Sequence, residues 1–130
     1  MTKLLVLAAL LAACGQDTTG IRFGDNVDVK YGATLVAPGD TASVRFTDVT
    51  ADSRCPSGAQ CVWAGEATVL LTVGGAQQVS LTLGADASKA TAIVRMLQVT
   101  LVALKPAPAV NATIAKGDYV ATLKFGSAKD

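Results

Sequence analysis

At 130 residues the chain has material for a single core, since domains usually run to about 100–150 residues. Its 11 Lys and Arg face 10 Asp and Glu, and removing Lys3 with an N-terminal leader equalises them, which excludes a basic nucleic-acid footprint and an acidic tail. Hydrophobic residues make up 51%, part of that excess lies in Leu4 to Ala13, and no later run is long enough to span a bilayer.

The N-terminus reads as an address. Lys3 precedes ten apolar residues, LLVLAALLAA, the charged and apolar regions of a secretory signal and too short a run to cross a membrane. The run closes on Leu11-Ala12-Ala13-Cys14, which resembles the lipobox of bacterial lipoproteins. That resemblance implies cleavage before Cys14, diacylglycerol on its sulfur and acylation, palmitate for example, of the new amine. Two or three acyl chains anchor stably where one binds marginally. The expected location is the cell envelope, with the protein held at a membrane and facing the periplasm or the exterior. Gly15 after the cysteine is compatible with the outer membrane where two membranes exist. Gly15 to Gly20 are small and polar and read as a short flexible tether. The expected organisation is a signal peptide over 1–13, a lipidated N-terminus and tether over 14–25, a β-domain over 26–126 and a tail over 127–130.

Beyond the tether the hydrophobic period is close to two, with short β-branched runs divided by Gly, Pro and Asp, the pattern of an antiparallel all-β domain. Val27, Val29 and Tyr31 alternate with Asp28 and Lys30, and Thr34 to Ala37 stops at Pro38-Gly39-Asp40. Val44 and Phe46 face one way in a strand that ends near Val49. Ala67 to Val73 and Gln77 to Leu83 flank Gly74-Gly75-Ala76, the clearest hairpin in the chain. Thr91 to Arg95 and Val99 to Lys105 are two more strands, and apolar residues on both faces of the second predict a central strand covered on each side. Pro106-Ala107-Pro108 interrupts, and Tyr119 to Phe125 closes the domain. About seven or eight strands predict a β-sandwich or a small barrel, between which periodicity does not choose.

With Cys14 assigned to lipid, Cys55 and Cys61 remain as an even pair, and an oxidising compartment favours a disulfide between them. The C-x5-C spacing and the lack of a nearby His or Lys favour a structural bond over a redox-active one. Around the pair runs Asp52-Ser53-Arg54-Cys55-Pro56-Ser57-Gly58-Ala59-Gln60-Cys61-Val62-Trp63-Ala64-Gly65-Glu66. This stretch resembles a family of small exported bacterial domains with a DSRCP-x4-C-x-WAG-[ED] signature, several of them lipoproteins. Pro106 to Tyr119 also looks like the end of those domains. The resemblance, over Val27 to Phe125, implies a β-fold and export and carries no activity. Asp52 and Ser53 suit turns that bond backbone amides ahead of them, and Pro56 and Gly58 suit a rigid, presented loop. Trp63, the only Trp, is expected to pack inward against the disulfide, with an exposed ligand platform as the competing reading. Arg54 is expected to pair with Asp52 or with Glu66, the only Glu, at the base of the loop.

The chain has no His, which removes the commonest general base and metal ligand and every Ser-His or Cys-His arrangement. A carboxylate pair such as Asp52 and Glu66 could do acid–base work or hold calcium, and no calcium-loop spacing supports the latter. Gly74-Gly75 lies in a hairpin rather than before a helix, so no phosphate loop is present. The sequence therefore predicts no enzyme, no cofactor and no metal. The expected function is a membrane-anchored envelope lipoprotein with a non-catalytic binding or structural β-domain whose ligand the sequence does not name, an envelope protein being one candidate partner. The alternative is a protease inhibitor that presents the Cys55–Cys61 loop.

Overall fold

Two sheets of four antiparallel strands pack face to face in the computed structural model, which describes residues 21–40 and 42–127. The strands are β1 (Asn26–Lys30), β2 (Thr34–Val36), β3 (Ser43–Asp52), β4 (Ala67–Val73), β5 (Gln77–Leu83), β6 (Thr91–Val94), β7 (Leu97–Lys105) and β8 (Val120–Ser127). One sheet has the order β1-β8-β7-β6 and the other β2-β3-β4-β5. The sheets do not join into a closed ring, so the fold is a sandwich and not a barrel. Cys14, the leader and most of the tether lie outside the described residues.

Alternation creates the core. In β4, Ala67, Val69, Leu71 and Val73 are buried, while Thr68, Leu70 and Thr72 between them are partly covered. Phe46, Leu81, Val99, Leu123 and Phe125 complete the interior from both sheets. Burying a side chain of this size contributes roughly 1.5–3 kcal/mol, so these positions carry most of the driving force. Every buried side-chain polar atom among the described residues has a hydrogen-bond partner.

The Gly74-Gly75 hairpin forms as the sequence predicts. Both glycines have positive φ, 68° and 82°, and β4 pairs with β5 in unbroken register from Val73↔Gln77 to Ala67↔Leu83. Three strand expectations need correction. β3 runs to Asp52 rather than ending near Val49, because register shifts between Phe46 and Asp48 and between Val49 and Ala51 interrupt the alternation without ending the pairing. β7 is not covered on both faces. A shift between Leu101 and Ala103 changes the buried set from Val99 and Leu101 to Leu104, leaving Val102 outward and exposed. The sixth strand stops at Val94, not Arg95, and β7 starts at Leu97. Arg95 and Met96 form the turn, with φ of 55° and 68°.

The register also defines two ends of the sandwich. β8 begins beside Tyr119, which bonds Asp52 at the end of β3, and finishes beside Phe125, whose carbonyl accepts from the Gly24 amide. One end therefore carries the cysteine loop and the other the start of the domain. The Gly74-Gly75 and Arg95-Met96 turns belong to the second end, and the Arg95 guanidinium lies against Gly74.

Candidate functional site

The chain leaves β3 at Asp52 and returns to β4 at Ala67, and the residues between project from the end of the sandwich. Paired bonds form the neck. The Ser53 amide donates to the Glu66 carbonyl at 2.7 Å, the Ser53 hydroxyl accepts from the Glu66 amide at 3.1 Å, and the Cys55 amide donates to the Ala64 carbonyl at 3.3 Å. Gly65 closes the neck with φ of 73°, and a side chain there would collide with the Ser53 carbonyl. Cys55 and Cys61 are joined by a disulfide.

Arg54 clamps the base. Its Nε and Nη2 donate to the two carboxylate oxygens of Asp52, both at 2.7 Å, giving a two-point ion pair. Nη1 donates to the Leu104 carbonyl at 2.7 Å and Nη2 also reaches the Pro106 carbonyl at 3.1 Å. The Tyr119 hydroxyl donates to Asp52 Oδ2 at 2.8 Å. The two charged side chains are only 15% and 13% exposed, and a guanidinium fork is the group whose planar donors fit this carboxylate. Hydrogen bonding from Arg54 holds the Asp52 carboxyl below the usual carboxylate range against the opposing effect of burial. Burial, helped by the bond to Asp52, pushes the Tyr119 hydroxyl up.

The loop is tied down again farther out. The Ser57 amide donates to the Pro108 carbonyl at 2.9 Å and the Ser57 carbonyl accepts from the Val110 amide at 3.2 Å, a parallel bridge between Ser57 and Ala109. Val110 lies against Gly58. Nearby, Asp48 accepts from Lys116 Nζ at 2.7 Å and from the Tyr31 hydroxyl at 3.0 Å, and these bonds, Lys116 foremost, hold its carboxyl low.

Of the residues singled out by sequence, Asp52, Arg54, Cys55 and Cys61 converge on the loop base, and Arg54 chooses Asp52. The side chain of Glu66 is exposed and takes no part in the clamp; only its backbone does. No acid–base pair with Asp52 forms, since both Asp52 oxygens are engaged by Arg54 and Tyr119. Trp63 corrects the expectation of core packing. It is 68% exposed beside Val62 at 88%, because the segment that carries it has already left the sandwich. Sequence reasoning missed Tyr119, the Leu104 and Pro106 carbonyls and the backbone bridge at Pro108 to Val110. A tyrosine at the start of a strand looks like ordinary core, and carbonyl acceptors leave no mark in a sequence.

The outcome is a braced loop that displays an apolar pair, Val62 and Trp63, to solvent. Among the described residues, no three His, Cys, Asp or Glu side chains gather where they could hold a metal ion. No family model matches the chain, and neither a curated protein nor a solved structure is similar enough to it to inform its function.

Proposed function

We propose that the protein is an envelope lipoprotein, anchored through Cys14, whose β-domain is a non-catalytic binding module that holds a protein partner at the exposed Val62-Trp63 pair. The observation that carries this reading is a solvent-facing indole on a segment fixed by a disulfide, a guanidinium clamp and a backbone bridge. Exposed Trp is enriched among residues that dominate binding energy, and a segment already ordered loses little entropy when it binds. A pocket on another envelope protein, lined by apolar side chains, fits this chemistry.

A photo-crosslinking residue placed at Val62 tests it in living cells. The expected result is a discrete adduct that disappears in Trp63→Ala and is not formed from the same probe at exposed Lys89. No adduct, or one that survives Trp63→Ala, ends the reading.

A second reading rests on the continuous exposure of Ser57 to Ala64 between fixed ends. Such a segment suits a protease inhibitor that enters an active site in a preset shape. Incubation with serine and cysteine proteases separates the two: stoichiometric inhibition supports the inhibitor, and rapid cleavage of the loop without inhibition removes it.

A further inference from the structure

The end of the sandwich opposite the cysteine loop has a surface that the fold does not explain. Phe23 is 50% exposed just before Gly24, whose amide bonds the Phe125 carbonyl. On the same end, Met96 is 63% and Ile93 64% exposed; Ile93 pairs with Gln98, and Met96 precedes Leu97, which pairs with Ser127. The β6–β7 turn is the stranger part. Its two residues both have positive φ, the conformation of a tight hairpin turn that Asn-Gly fills at little cost, yet they are Arg95 and Met96. A backbone held in a sparsely populated region points to a use for the side chains it displays.

The chain outside the described residues says what this end faces. Cys14 stands seven positions before Ile21, and Ile21 packs against the core beside this surface. Even fully extended, that segment spans at most about 25 Å. Such a tether keeps the N-terminal end of the domain within about 25 Å of the acyl chains. An exposed Phe, Ile and Met with Arg22 and Arg95 beside them match the interface of a phospholipid bilayer, where apolar side chains enter the acyl boundary and long cationic ones stay at headgroup depth.

We infer that Phe23, Ile93 and Met96 seat the N-terminal end of the sandwich on the phospholipid surface, so that the loop carrying Val62 and Trp63 lies at the end away from the membrane. This rests on the proposed lipid anchor. β8 runs nearly from one end to the other, and its eight residues at about 3.3 Å each separate the ends by roughly 25 Å.

The test uses the full-length lipoprotein, processed in a bacterium and reconstituted into phosphatidylglycerol–phosphatidylcholine vesicles, some with brominated acyl chains. Phe23→Trp and Met96→Trp are each made in a Trp63→Phe background. Both are surface positions, so the fold tolerates the indole. The expected result is blue-shifted emission from both variants, quenched at least twofold by brominated lipid, with native Trp63 emission in the parent protein unquenched. Intact mass reads the anchor independently. Acylated protein whose introduced indoles are unquenched, or whose native Trp63 is quenched, overturns the orientation and leaves the anchor standing. Mature protein without acyl mass overturns the anchor and this inference with it.

Discussion

Arg54 is satisfied four times over by groups from different parts of the chain, so its replacement separates charge from shape. Arg54→Lys keeps the charge but has no planar fork, so it cannot serve both Asp52 oxygens and the two carbonyls together. The expected loss is about 2 kcal/mol, the scale of a charge-assisted hydrogen bond left unmade, read from the urea midpoint. The same clamp predicts a pH dependence. Asp52 has a depressed pKa in the folded state, so its contribution is fully present above the unfolded carboxylate value of about 3.9 and is lost as pH falls through the lower, folded value. The urea midpoint is therefore expected to stay level from pH 7 to 5 and to drop below about pH 4. Asp52→Asn should lower the midpoint at pH 7 and flatten part of that drop, and an acid limb unchanged by Asp52→Asn would refute the assignment. Asp28 and Asp48 are held low too, by Thr122 and Lys116 foremost, but their surface pairs are screened and contribute less. Gly65→Ala is a sharper local test. The left-handed φ and the collision with the Ser53 carbonyl predict a loss of more than about 1 kcal/mol, with the neck opening first in hydrogen exchange.

Turns and strand irregularities set how much of each element was legible. The Gly-Gly hairpin is a local signal, and its two strands, Ala67 to Val73 and Gln77 to Leu83, were read correctly. The extension of β3 through Asp52 was hidden because bulges at Thr47 and Thr50 leave its buried set as Val44, Phe46 and Val49, a spacing of three after a spacing of two. The apolar outer positions of β7 misled for the same reason, since the bulge near Val102 moves Leu104 inward. The Arg95-Met96 turn has no Gly, Asn or Pro to announce it. Replacing it with Asn-Gly is expected to stabilise the domain by about 1 kcal/mol or more, because two side chains leave the left-handed region. Equal or lower thermal stability would show that Arg95 or Met96 makes a compensating contact. Reduction of Cys55–Cys61 belongs to this scale as well. In the chain-entropy view, a loop of this size contributes about 2.4 kcal/mol, and the sheets hold the main core, so reductant should speed exchange in residues 53–66 while the β-type circular dichroism persists. Collapse of that spectrum would mean that the loop, not the sheet, nucleates stability.

Across the whole molecule the fold class was readable and the placing of loops and turns at its two ends was not. Composition and period two lead to a sandwich or barrel, and only the pairing order, β1-β8-β7-β6 against β2-β3-β4-β5, removes the barrel. Trp63 shows why the candidate site was half seen. Its size and singularity argue for burial, whereas its exposure follows from where a nonlocal arrangement sends the loop, through bonds from Arg54 to Leu104 and from Ser57 to Pro108.

Those bonds cross from one sheet to the other. Asp52 and Arg54 extend β3, while Leu104, Pro106 and Tyr119 belong to the ends of β7 and β8, so the loop is strapped to both layers at once. A mechanical load applied at the loop, with the opposite end held, therefore pulls along the strands of both layers together. Rupture would have to shear several ladders in parallel instead of unzipping one edge.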